Sequence, residues 1–364
     1  MPPPDGMPAR DATEAYADRL RRRAVGGLRF EAHERRRILA LLNAVERDLV
    51  AKLREIDPAG VQRQTYRARR LETLLADARR LIREQMRGIR DAAASGLGEF
   101  ARAEAAWAQS ALTNAVTGAG IQTAIRVAPS EVLAALVSDG LIVGKPLQAW
   151  WAGQADGLID RFSQQVRLGM SQGETLDQMV RRVRGTRAGG FTDGIMETTR
   201  RQAAALVRTS VNSIGNSART AVYEANADLI TAEVHSSTLD SGTTLQCAAR
   251  DGKAWDTQTK QPIGGHSLPY MVPAIHVGCR SVLLPRIGDG SVRIPGQRAS
   301  ADGPVPASRT FETWLRAKTV AEQNEIFGPG RAGLWRDQKL TLSQLLDFKG
   351  DPLPLDELTR RFAD

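Results

Sequence analysis

Cysteine is almost missing from this chain: 364 residues hold two, Cys247 and Cys279. That excludes a disulfide scaffold and fits a reducing compartment in which the thiols are free or bind metal. Aromatic residues make up only 5%, which favours Ala/Leu-rich helical packing over a large sheet core. No run of about 20 apolar residues occurs, so no membrane span is expected. The N-terminus, Met1 to Pro8, lacks the apolar stretch of a secretory signal and reads as a disordered arm. A phosphate-cradling glycine loop, a dinucleotide fingerprint and a paired-carboxylate motif are all missing, and no internal repeat is apparent.

What is present is ordinary globular composition, 42% apolar and 25% charged, so wholesale disorder is excluded. The length allows two or three domains, each with its own core. A net charge of +9 points to an anionic partner, with nucleic acid the first candidate.

The first half is helical by pattern. Ile38, Leu41, Leu42, Val45, Leu49, Leu53 and Ile56 recur at three- and four-residue spacing until Asp57-Pro58 stops the run. A second series, Leu71, Leu74, Leu75, Ala78, Leu81, Ile82, Met86 and Ile89, continues to about Thr117. Its polar face carries Arg63, Arg67, Arg69, Arg70, Arg79, Arg80, Arg83, Arg87 and Arg90. These arginines form either a solvated face paired with Glu72, Asp77 and Glu84 or a stripe turned to phosphates. Pro129-Ser130-Glu131 opens a short helix, and Gly144-Lys145-Pro146 precedes another bearing Trp150 and Trp151, one ring expected in the core and one at its edge. Gly173 starts a compact helix ending in Arg181, Arg182 and Arg184. A long helix runs from Glu197 to about Asn226. The period then changes: Ile230, Ala232 and Val234 alternate with polar neighbours and predict a strand, and residues 280–285 predict another, closed by Pro285. Residues 287–307 read as a linker, and the rest, including Leu340 to Asp347, as helical again.

Between the two strands lies a Gly/Pro-rich loop with both cysteines and three of the four histidines. Cys247, His276 and Cys279 can place two sulfurs and a ring nitrogen together, with zinc as the candidate ion. A closed structural site needs a fourth ligand, for which His266, Asp240, Asp251 and His235 are available. The alternatives are buried thiols with a hydrogen-bonded histidine, a Cys247–Cys279 disulfide, or a Cys247/His276 nucleophile and base, for which no oxyanion hole is recognisable.

The succession Leu206-Val207-Arg208-Thr209, Ala218-Arg219-Thr220-Ala221, Asn226, Ser237 to Asp240, Thr243, Cys247, Asp251-Gly252-Lys253, Trp255, Pro273, His276, Cys279-Arg280 and Pro285 resembles the phage head morphogenesis family. These are minor capsid proteins similar to the F protein of phage Mu. The tail, from Thr310 through Phe327-Gly328-Pro329 to Leu358, is similar to tails of that family. The chain departs from the family pattern at Thr244 and Ser281, where cysteines often stand, and at Val277-Gly278.

Together these readings predict an α+β protein: a mostly helical N-terminal region, a small mixed module and a helical tail. The expected segments are a basic helical region (1–128), a helical core region (129–228), the strand and loop module (229–286), the linker (287–307) and the tail (308–364). The resemblance implies a non-enzymatic minor head protein acting in procapsid assembly near the portal. It further implies portal, scaffold and major capsid proteins as partners, packaged double-stranded DNA beside it, and a place inside the virion head. Phosphate contacts would come from Arg69, Arg70, Arg79, Arg80, Arg83, Arg87, Arg181, Arg182 and Arg184. Arg219, Thr220, Asp240, Asp251, Gly252 and Arg280 would frame the module, with Asp240 capping the loop and Gly252 supplying a φ > 0 turn. A delivery module of a phage-derived toxin and a DNA-processing enzyme using Cys247 and His276 are the alternative readings.

Overall fold

A computed structural model describes residues 7–55, 64–288, 296–337 and 340–362. The helix stop expected at Asp57-Pro58 lies outside them, as do Arg63 and the side chain of Arg67. In chain order the elements are α1 (Met7–Arg54), α2 (Gln64–Gly118), α3 (Ser130–Ser138), β1 (Leu141–Ile142), β2 (Lys145–Pro146), α4 (Leu147–Ser171), α5 (Leu176–Arg184) and α6 (Ile195–Ala225). After these come β3 (Ile230–Ser236), α7 (Leu245–Arg250), β4 (Ala254–Asp256), β5 (Pro262–Ile263), β6 (Val282–Ile287), β7 (Gln297–Ser300) and β8 (Gly303–Pro306). The tail adds α8 (Phe311–Arg316), α9 (Val320–Phe327), α10 (Pro329–Asp337), a 3-10 turn (Leu342–Leu345) and α11 (Leu355–Phe362). The class is α+β, with a helical N-terminal region and a mixed C-terminal part.

The chain divides into two compact units that cut across the expected segments. One comprises residues 29–99 and 137–211. Among its described residues the elements are helices and the β1–β2 hairpin, and its core follows the three- and four-residue spacing. Ile38, Leu42, Val45, Leu49 and Leu53 of α1 are buried, as are Leu74, Leu75, Ala78, Ile82, Met86 and Ile89 of α2. Leu41 faces outward instead, 37% exposed, since seven apolar positions overfill one helical stripe. Of the tryptophan pair, Trp151 is buried. Trp150 stays half-buried and donates its ring N–H to the Ile142 carbonyl at 2.7 Å. Thr175 caps α5 in a reciprocal box with Gln178, which satisfies amides that a helix start would otherwise leave open.

The other unit comprises residues 1–28, 100–136 and 212–364. Its centre is a four-stranded antiparallel sheet of order β5-β4-β3-β6. The alternation at Ile230, Ala232 and Val234 predicted a strand, but Glu233 and His235 are also fully buried, because the second face of β3 is covered too, Glu233 meeting Thr220 of α6, Lys260 and Tyr270. Pro285 does not close the last strand. It lies opposite Glu233, and β6 continues to Ile287; a proline is tolerated there because β6 is an edge strand. The linker span holds the β7–β8 hairpin. Residues 340–347 form only a short 3-10 turn, and Met7, expected in a disordered arm, already begins α1. The tail packs onto the module in one core: Leu239, Leu245, Trp255 and Leu268 join Phe311, Trp314, Trp335, Leu342 and Leu358. Module and tail therefore share one apolar core.

Candidate functional site

The loop after β3 turns back on itself through α7 and returns at β6, and this brings the two cysteines together. The Cys247 Sγ lies 3.6 Å from the Cys279 Sγ and 3.3 Å from the His276 Nε2. Both thiols are free and buried, and His276 is half-buried at the rim. The three donor atoms lie within 4.8 Å of one another. His276 and Cys279 share one tight turn, closed by the Cys279 N–H donating to the His276 carbonyl at 3.1 Å.

The first-named candidate for a fourth ligand, His266, does not join them. Its Nε2 is 3.0 Å from the Ala254 carbonyl oxygen and its ring meets Trp255 edge-on. The other three are not part of the cluster either. Asp240 forms a two-pronged pair with Arg280, 2.6 Å at each contact, and accepts the Gly242 N–H at 3.0 Å. Asp251 is bound to Arg298. His235 is sealed within the sheet and both its ring nitrogens lack a hydrogen-bond partner among the described residues.

The cluster is held from behind by α6. Asn212 donates to the carbonyls of Cys279 (2.9 Å) and Ser281 (3.3 Å), and Asn216 donates to Ser281 while accepting the Leu283 N–H. Arg219 carries this outward: it donates to Asn216 and to Glu104, whose carboxylate is almost wholly buried and also takes Arg23. Thr220, next along the helix, donates to Glu233 at 3.2 Å, which also receives Lys260 and Tyr270. Burial raises the Glu233 carboxyl above its usual range, against the opposing pull of Lys260. Gly252 sits at φ 75°, in the left-handed region that a side chain disfavours.

Electrostatically the two thiols are shifted in opposite directions. Cys279 is shifted down, mainly because the Cys247 thiol donates to it, with burial opposing and His276 assisting. Cys247 is shifted up, first as that donor and then by burial. His276 is drawn down by burial, but its bond to Cys279 and that sulfur's charge outweigh this and raise it. The imidazole thus reaches both sulfurs. A shallow recess lined by Thr238, Gly242, Thr243, Gly278, Arg280 and Ser281 opens onto Cys247 and His276.

The arginines divide into two groups. Arg69, Arg70, Arg79, Arg80, Arg83 and Arg87 of α2 are exposed, with Arg80 paired to Asp77 and Arg83 3.6 Å from Asp156. Arg182 is consumed in a two-pronged pair with Glu174 plus contacts to Gln165 and Gln172. Arg184 pairs with Glu46 at 2.8 Å; Arg181 stays exposed.

Asn212 and Asn216 escaped the sequence reading, although two asparagines four apart on the inner face of an amphipathic helix are a usable signal. Arg298 carried no signal, lying in a stretch that read as linker.

Residues 160–284 match the model of a family described as phage Mu protein F like protein. The match takes in the whole cluster and its α6 support and stops at Leu284, short of the tail. No curated protein and no solved structure matches the chain. Over residues 160–284 the protein is therefore similar to the family of Mu F-like phage proteins.

Proposed function

We propose that the protein is a minor head protein of a tailed phage, acting in head assembly near the portal vertex and touching packaged DNA. The observation that carries this reading is the Mu F-like segment, which contains the cluster and its supporting helix. The role is structural: the buried network ties strands, loop and tail into one rigid body, as an assembly part requires. Its partners would be the portal, scaffold and major capsid proteins, and its place the head interior.

The DNA contact is assigned to α2. At 100° per residue, Arg69, Arg80, Arg83 and Arg87 fall within about 60° of one another around the helix, with Arg79 about 40° further on. Along the axis they span about 27 Å. Such a stripe can follow phosphates without reading bases. Arg70 points away from it, and Arg182 and Arg184 are engaged by acids, so these three carry less of the contact.

A mobility-shift titration on duplex DNA at several salt concentrations tests the contact. Binding should weaken steeply with salt, and each stripe arginine changed to Gln should lower the slope of log K against log salt by about one. Salt-independent binding, or none, would remove DNA from the function. Assembly is tested separately, by complementing a phage lacking the gene: defective heads support the head role, and normal infectious heads overturn it.

A further inference from the structure

We infer that Cys247, His276 and Cys279 bind one zinc ion whose fourth coordination place is left to solvent or to a small exogenous donor. This stands apart from the DNA contact and needs no portal or capsid partner.

The distances fit an ion. With Zn–S near 2.3 Å and Zn–N near 2.0 Å, donors on a tetrahedron stand roughly 3.8 Å apart for two sulfurs and roughly 3.5 Å for sulfur and nitrogen, within about 0.2 Å of the edges seen here. The observed edges are 3.6 Å between sulfurs and 3.3 Å between sulfur and nitrogen. A disulfide would need the sulfurs to close to about 2.05 Å.

The imidazole is also set for a metal. Its Nδ1 is 3.0 Å from the Val277 carbonyl oxygen, which can only accept, so Nδ1 carries the proton. That leaves the Nε2 lone pair facing the sulfurs, the arrangement by which outer partners orient a ligating histidine. The backbones of both cysteine turns are fixed independently, by Ser237 on the Cys247 carbonyl and Asn212 on the Cys279 carbonyl. Two thiolates would neutralise the ion's charge in a buried place, and the soft donor set favours zinc among common divalent ions.

The fourth place lacks a strong protein donor among the described residues. The hydroxyls of Thr244 and Ser281 hydrogen-bond to the Cys247 sulfur. A neutral hydroxyl is a weak zinc ligand beside thiolate or imidazole. The recess bounded by Thr238, Thr243 and Arg280 borders Cys247 and His276; it is too tight to hold a water as it stands, so a small donor would enter from that side only as these side chains give way.

The test uses the full chain purified under reducing conditions and dialysed against metal-free buffer. Elemental analysis should find one zinc per chain, and cobalt(II) replacement should give the intense thiolate-to-cobalt and ligand-field absorption of a four-coordinate site. The wild-type spectrum reports thiolate ligation directly, so the result does not depend on cysteine variants that fail to fold. His266→Ala should keep the ion, whereas Cys279→Ser should lose it. Added imidazole should shift the wild-type cobalt spectrum. Ser281→Cys, offering a third thiolate, should tighten binding and abolish that shift. Absence of stoichiometric zinc with both thiols freely titratable, or a Cys247–Cys279 disulfide in the reduced preparation, would overturn the site. An imidazole-insensitive wild-type spectrum would overturn the open fourth place.

Discussion

Asp251 and Arg298 form a two-pronged ion pair across 47 residues of sequence, at 2.8 and 2.9 Å, with the carboxylate sealed from solvent. The same carboxylate accepts the backbone N–H groups of Ser237 and Phe311, each at 2.7 Å. One side chain therefore pins the end of β3, the β7–β8 hairpin and the start of α8. Its removal leaves a nearly buried guanidinium and two buried amides without their acceptor. Asp251→Ala should cost about 3–5 kcal/mol, read as a fall in the urea midpoint.

The neighbouring pair Asp240–Arg280 should behave differently. Its geometry is as good, but the Arg280 side chain is 45% exposed, so water competes for both partners. Arg280→Ala should change stability by no more than about 1 kcal/mol. Equal costs for the two substitutions in urea titrations would show that the outer pair is as important to the fold as the inner one.

His235 gives the fold an acid-sensitive point. Burial lowers it from 6.5 to about 4, against the opposing charges of Cys279 and Asp251. Above pH 6.5 the histidine is neutral in both states and costs nothing by titration. As pH falls from 6.5 toward 4, the unfolded chain takes a proton that the folded chain refuses, so stability drops, by up to about 1.4 kcal/mol per pH unit. His235→Leu should lose that part of the slope when unfolding free energy is measured between pH 7 and pH 4.5; an unchanged slope would assign the acid sensitivity to other groups.

Gly194, just before α6, has no room for a methyl group. A Cβ there would stand 2.2 Å from the Gly185 nitrogen and 2.4 Å from the Arg184 carbonyl carbon. These are backbone atoms at the end of α5 and cannot swing aside. Gly194→Ala should destabilise the helical unit by about 1–3 kcal/mol or more, seen as a lower thermal midpoint.

Much of the helical unit was legible because α2 and α4 repeat apolar residues at helical spacing, a pattern that needs no distant partner to be recognised. The strand at β3 was legible in position but not in environment. Alternation at Ile230, Ala232 and Val234 marked one face, while the burial of Glu233 and His235 depends on what covers the other. The hairpin in residues 297–306 was hidden, since Gly, Pro and Ser read as loop whether or not two short strands pair. In the cluster, Cys247, His276 and Cys279 were singled out by scarcity, yet His266 looked equally eligible until its ring was placed on Trp255.

The sequence by itself determined the helical class, the positive charge, the kinship of the strand and loop module, and the three rare side chains able to share an ion. Those properties are written in local spacing and residue type. Tertiary structure alone decided that three donors converge and a fourth does not, that Arg182 and Arg184 sit in half-buried ion pairs while the α2 arginines stay exposed even where Arg80 and Arg83 meet acids, and that the tail completes the module's core. Each of these depends on contacts between residues far apart in the chain, and such contacts are fixed by packing, which no local pattern encodes.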